Sequence, residues 1–209
     1  MLKWVFFDIG STLVDEEEAY QDFVKRCIER SSQYGIEISS KIFYAKMLEI
    51  AKQGGDPIND VWKIFMPEGI KRPKWSHDSE KLYPNVALVL KQLRERYCLG
   101  VIANQGKGLE DRLEMFGIRA SIDLIISSSD VGLKKPDPAI FQCALTLAGI
   151  PAQQAVYIGD RVDNDMIPAK CVGMKTIRVR QGLGKYAPEQ SSLKSDHQID
   201  RITDLLTLL

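Results

Sequence analysis

The chain has 209 residues with 28 basic and 28 acidic side chains, so its formal net charge at pH 7 is zero. It carries no single-sign field of the kind that draws nucleic acid or an anionic membrane nonspecifically, and neither partner is expected. At 44% hydrophobic and 27% charged it sits near globular averages, which excludes disordered, collagenous and coiled-coil classes.

The length is generous for one minimal domain and short for two, and points to one domain carrying an insertion. In chain order, residues 3–7 form an apolar run that reads as a buried strand ending at Asp8. That run falls far short of a secretory core or a ~20-residue membrane span, so a cytoplasmic location is expected. From residue 14 to about residue 82 the pattern turns helical. Tyr20, Phe23, Val24, Cys27, Ser31 and Tyr34 trace one helical face ended by Gly35. Two more helices are expected over 42–51 and 58–65, separated by the break Gly54-Gly55-Asp56-Pro57. The acidic run Asp15-Glu16-Glu17-Glu18 suits the amino end of the first helix. Trp62, Phe65 and Trp75 read as packing of a small helical unit, and His77, in a polar stretch, as exposed.

Beyond residue 83 helix and strand alternate. Strands are expected at 99–103, 122–126, 155–158 and 175–179. Between them Val86, Val89, Leu90 and Leu93 recur at helical spacing, as do Leu109, Leu113 and Phe116 before Gly117. Asp137-Pro138 opens a further helix through Ile140, Phe141, Ala144, Leu145 and Ala148, which Gly149 ends. Continuous apolar strands alternating with helices indicate an α/β fold, a doubly wound parallel sheet covered on both faces. Residues 1–13 and 83–209 are then the core domain, and 14–82 an inserted helical domain. The stretch 181–198 is expected to be loop, followed by a short helix capped by Asp200. Cys27, Cys98, Cys143 and Cys171 show no CxxC spacing, so buried reduced thiols are expected rather than a zinc site or disulfide framework.

Ligands of open parallel sheets bind at the carboxyl ends of the strands, so the residues following each strand matter most. They are Asp8-Ile9-Gly10-Ser11-Thr12-Leu13, Asn104-Gln105-Gly106, Lys134-Lys135-Pro136-Asp137-Pro138, and Gly159-Asp160 running on to Asp165. If those strands are neighbours, Asp8, Asp160 and Asp165 converge with a lysine beside them. Converging carboxylates repel one another unless a cation neutralises them, and an all-oxygen set suits a hard cation such as Mg²⁺. Mg²⁺, a lysine and one spare carboxylate are what phosphoryl transfer through an aspartyl-phosphate needs.

At these residues the sequence resembles the haloacid dehalogenase-like superfamily. Its motifs occur in order: Asp8 to Leu13; Val101-Ile102-Ala103-Asn104; Lys135-Pro136-Asp137-Pro138-Ala139-Ile140-Phe141; and Val156-Tyr157-Ile158-Gly159-Asp160 with Asn164-Asp165. The resemblance spans about residues 3–180 and implies a Rossmann-like core with a helical cap placed after the first motif. Tyr83-Pro84-Asn85-Val86 is similar to the family's return from cap to core. The resemblance further implies that Asp8 is the nucleophile attacking phosphorus. It implies that Mg²⁺ is held by Asp8, the Gly10 carbonyl and Asp160, with Asp165 acting directly or through water. It implies that Lys135 pairs with Asp8 and the transferring phosphoryl group, and that Asn104 contacts phosphate through its backbone or amide. The implied function is a Mg²⁺-dependent phosphatase acting on a small phosphorylated metabolite.

Two positions depart from that pattern. Where the family's hydrolases mostly carry an acid–base aspartate, this chain has Gly10, and where they carry a phosphate-donating Ser or Thr it has Ala103. A positioned acid or base is worth ~10²–10⁴-fold, so Gly10 is expected to slow esters with poor leaving groups. No residue stands out as a replacement, Asp163 or a side chain of the insertion remaining candidates. Asp163 itself reads first as a turn or capping residue, and Lys134, Arg161 and Lys185 as surface. Two alternatives therefore stay open: a degenerate member that binds a phosphorylated ligand or partner without efficient turnover, and a phosphotransferase or other group-transfer enzyme.

Overall fold

The computed structural model describes residues 1–189 and 194–209. Its centre is a six-stranded sheet of β1 (Trp4–Phe7), β4 (Cys98–Ala103), β5 (Leu124–Ser127), β6 (Ala155–Gly159), β7 (Lys175–Val179) and β8 (His197–Ile199), in the order β5-β4-β1-β6-β7-β8. Every pairing in it is parallel. Along β1, Val5 and Phe7 enter one apolar cluster and Phe6 the other, as the two-residue period of a strand dictates. Helices α4 (Val86–Arg94), α5 (Leu109–Met115) and α9 (Leu205–Leu208) cover the first face. Helices α6 (Ser128–Val131), α7 (Pro138–Ala148) and α8 (Ile167–Cys171) cover the second. The α7 start follows the sequence rule: Asp137 accepts from the Ala139 N–H, and Pro138 occupies the first turn, where no donor is needed.

Residues 14–82 leave and rejoin this core through a two-stranded antiparallel ribbon, β2 (Val14–Asp15) with β3 (Lys81–Leu82). Between them lie α1 (Glu17–Ser32), α2 (Ser40–Lys52) and α3 (Pro57–Phe65). Ser39 caps α2 and Asp56 caps α3. Their inward faces form a separate cluster around Phe23, Phe43, Met47 and Val61, against which Leu183 of the core also packs.

Several expectations change. The strand expected at 122–126 begins two residues later, because a 3₁₀ turn over Arg119–Ser121 occupies the approach and Ile122 caps it. Tyr34 lies past the end of α1 and is exposed rather than on its buried face. The stretch 181–198 is not all loop: it contains a 3₁₀ turn at Gly184–Tyr186 and the start of β8, and its residues 190–193 lie outside the described residues. Asp200 does not cap the final helix. It pairs with Arg180, and Arg201 caps the 3₁₀ turn that leads into α9. All four cysteines are free, but only Cys27 is buried, while Cys98 and Cys171 are exposed. No helix of the described residues is long and apolar enough to cross a membrane.

Gly100 holds the centre of the sheet by leaving room. It pairs with Phe6, whose ring stacks on Trp4, and a Cβ at Gly100 would lie 2.5 Å from that ring. Gly100→Val is expected to cost about 1–3 kcal/mol through overpacking, which thermal denaturation would register as ~2–4 °C per kcal/mol.

Candidate active site

The chain runs outward from β1 to β4 and β5, then crosses back to place β6 on the other side of β1. Strand order reverses at β1, and the carboxyl ends of β1, β4 and β6 meet at one edge, where such sheets bind ligands. Asp8 follows β1, Asn104 follows β4, and Asp160 follows β6. The segment Val162–Met166 after Asp160 is a single π-helical turn leading into α8, and it carries Asp165 back toward the sheet. Gly159 makes that approach possible, since a Cβ there would lie 2.7 Å from the Asp165 carboxyl group.

Lys135 arrives from the loop before α7 and is almost wholly buried. Its ammonium stands 2.7 Å from Asp8 Oδ1 and 2.6 Å from Asp165 Oδ1, and it donates to the Tyr157 hydroxyl at 2.9 Å. Tyr157 in turn donates to the Ile102 carbonyl at 2.8 Å. Burial alone would push the lysine toward neutrality, but Asp165 and Asp8 hold it charged and raise its pKa. Asp8 is pushed up to about 6 by burial, against the opposing pull of Lys135. Asp160, buried beside Asp165 and Asp8, is held well above the usual carboxylate range. One oxygen from each of Asp8, Asp160 and Asp165 lies within 4.8 Å of the others.

Asp165 is engaged at both oxygens, because Oδ2 accepts from the Arg161 N–H at 3.0 Å. Asn104 has an unexpected task. Its Nδ2 donates to the Lys135 carbonyl and its Oδ1 accepts from the Lys135 N–H, both at 2.7 Å. The amide therefore clamps the main chain of the lysine, and of the two phosphate routes expected for Asn104 only its backbone is left. Ala103 is fully buried in the apolar cluster.

Above this edge a cavity of about 730 Å³ opens toward the helical insertion, with Asp8, Gly10, Asn104, Lys135 and Asp160 on the core side. Ile58, Asn59, Trp75 and His77 form the opposite wall. Trp75 also packs on Tyr20 and Phe23, so it serves core and cavity together. His77 is exposed as expected, and its Nδ1 lies 2.6 Å from Glu80 Oε1. Glu80, buried, pairs with Arg112 of α5 at 2.5 Å and ties the end of the insertion to the core. Asp163 pairs with Arg161, which is half-buried against the cavity rather than on open surface. Lys134 is exposed at the rim.

Glu16 was missed by sequence reasoning as a site residue. It stands at the amino end of α1 but makes no side-chain cap. Its carboxyl group turns toward Gly10 and accepts from the Ser11 hydroxyl at 2.9 Å. Burial, then the neighbouring Glu80, pushes it up to about 8. Tyr157 was missed as well, although a lone hydroxyl inside an otherwise apolar strand is a signal that it needs a buried partner.

A reversed parallel sheet that gathers three carboxylates and a buried lysine at the carboxyl ends of its strands has the architecture of an α/β enzyme. Residues 5–179 match the family model described as haloacid dehalogenase-like hydrolase, and the chain belongs to that family. It is a hydrolase of the phosphatase type. A glyceraldehyde 3-phosphate phosphatase of Pyrococcus abyssi is 31% identical over all of this chain and 94% of its own length. One of Methanopyrus kandleri is 29% identical over all of this chain and 97% of its own. The crystal structure of a HAD phosphatase from Thermococcus onnurineus superposes with a TM-score of 0.72 at 24% identity, covering 99% of this chain and 97% of that one, which is a likeness of fold.

Tyr157→Phe tests the buried clamp. It leaves the Ile102 carbonyl and one Lys135 N–H without a partner, so the protein is expected to lose about 1–3 kcal/mol in urea denaturation while keeping its secondary structure.

Proposed function

We propose that this protein is a Mg²⁺-dependent phosphatase of a small phosphorylated metabolite, working through an aspartyl-phosphate on Asp8. The observation that carries this reading is the Lys135 ammonium locked between Asp8 and Asp165 on the floor of the cavity. The residues 14–82, read as a cap domain over a core of 1–13 and 83–209, supply the facing wall. A volume of about 730 Å³ suits a small ligand.

The donor set fits a hard cation. Three carboxylates gather within 4.8 Å, and burial disfavours the charge on Asp8 and Asp160 unless a cation balances it. Asp8, Asp160 and the Gly10 carbonyl would hold Mg²⁺, with Asp165 directly or through water. When bound, the ion would neutralise charge on the phosphoryl oxygens.

The chain's own groups do the rest. The Asp8 carboxylate attacks phosphorus, forming the aspartyl-phosphate as the bond to the leaving alcohol breaks. Water then attacks the same phosphorus, releasing inorganic phosphate and restoring Asp8. Lys135 keeps Asp8 ionised and faces the developing phosphoryl charge, and it is preorganised because Asn104 fixes its main chain. The Asn104 backbone, beside the lysine, is the phosphate contact left to that residue. The names of the full-length archaeal relatives make triose phosphates the first esters to assay.

Release of phosphate from 4-nitrophenyl phosphate and from glyceraldehyde 3-phosphate, with Mg²⁺ and with a chelator, decides the matter. Turnover is expected to require the metal and to fall by about 10³-fold or more in Asp8→Asn. Hydrolysis that ignores both changes, or binding without turnover in the unaltered chain, overturns this reading.

A further inference from the structure

Of the carboxyl groups that line the cavity among the described residues, Glu16 is the one that neither the scheme above, an ion pair nor a helix cap engages, Asp56 being the cap of α3. Asp8 and Asp165 are paired with Lys135, Asp160 sits with them, Asp163 is paired with Arg161, and Glu80 with Arg112. Glu16 lines the cavity and takes part in no ion pair among the described residues. Only its Oε2 is engaged, by the Ser11 hydroxyl at 2.9 Å and the Tyr20 hydroxyl at 3.5 Å. Ser11 adopts a φ of 53°, an uncommon conformation for a non-glycine residue, and in it the hydroxyl reaches Glu16. Oε1 has no hydrogen-bond partner among the described residues.

The position of that oxygen is specific. A Cβ added at Gly10 would lie 2.5 Å from Glu16 Oε1 and 2.8 Å from its Cδ and Oε2. Bond lengths put an aspartate's own carboxylate oxygen about 2.4 Å from its Cβ. Glu16 therefore fills the space that a carboxyl group carried on residue 10 would need, two residues from the nucleophile. Gly10 and Glu16 are complementary: a side chain at residue 10 requires the Glu16 carboxyl group to move from this place.

We propose that Glu16 is the acid–base catalyst of this enzyme, an inference that rests on the phosphatase reading. As Asp8 attacks phosphorus and the ester P–O bond breaks, the leaving oxygen takes the Glu16 proton and departs as a neutral alcohol. The Glu16 carboxylate then accepts a proton from water as the water oxygen attacks phosphorus. The P–O bond to Asp8 breaks, inorganic phosphate leaves, and Glu16 is protonated again. The group matters most where the leaving group is a poor one, as an alkoxide is.

Glu16→Gln separates this role from binding, since the amide keeps the acceptor that Ser11 uses. On glyceraldehyde 3-phosphate kcat/KM is expected to fall ~10²–10³-fold, while the pre-steady-state burst of 4-nitrophenolate from the aryl ester slows far less and phosphoenzyme accumulates. In a Glu16→Ala background, Gly10→Asp is expected to recover at least tenfold on the alkyl ester, because the cleared space then accepts the new carboxyl. Equal losses on the two esters, no loss on either, or no recovery overturns the role of Glu16 while leaving Asp8-dependent hydrolysis standing. Absence of any Asp8-dependent hydrolysis in the unaltered chain overturns the phosphatase reading and this inference with it.

Discussion

A lysine ammonium with almost no access to water stands at the junction of three strand ends, and the site depends on how its charge is balanced. Removing an ammonium from water costs several kcal/mol, and the cost is recovered only where opposite charge and hydrogen bonds are in place on every side. Asp8, Asp165 and Tyr157 meet that requirement for Lys135. These residues come from the end of β1, the turn after β6, the middle of β6 and the loop before α7. They meet only because the strand order reverses at β1. The same arrangement restrains Asp8, whose carboxyl group is drawn toward neutrality by burial and toward ionisation by the lysine.

The helical insertion is built on a different principle. It has its own apolar cluster and is joined to the core by a ribbon of two residues on each side. A polar tie supplements that ribbon, with Arg112 of α5 reaching the buried Glu80. The cavity lies between the two parts. Its floor is fixed by charge balance, whereas its far wall is made of Ile58, Asn59, Trp75 and His77, side chains that owe their positions to the insertion. Core and insertion thereby each contribute side chains to the one cavity, Glu16 among those of the insertion.

The two departures at positions 10 and 103 have different structural settings. Ala103 closes the end of β4 as a buried apolar residue, and the neighbouring Ser127 hydroxyl donates to the Gln105 carbonyl. Position 10 is not empty in the same sense, because the Glu16 carboxyl group occupies its side-chain space. A glycine there is the condition for that occupancy. Asn104 shows the complementary economy: an amide at the mouth of the site supports the main chain of the residue that carries the charge.

Five of the six sheet strands, three helices of the insertion and the caps at Asp137 and Gly149 were legible in the residues alone, as were Asp8, Lys135, Asp160 and Asp165. Those features are written within a few neighbouring positions, as apolar runs, helical periodicity and turn chemistry, and Asp8 and Asp160 were conspicuous for closing apolar strands. The short strand β8 was not legible, since its pairing with β7 rather than its composition makes it a strand. Glu16 looked like one more acid at a helix start, and its turn toward Gly10 is held by the Ser11 and Tyr20 hydroxyls in a loop and helix geometry that only the folded chain sets. Sequence by itself determined the fold class and which residues close the strands, because backbone geometry and burial act locally. Which side chain fills a given space, and which polar group answers a buried charge, was decided only when distant segments packed together.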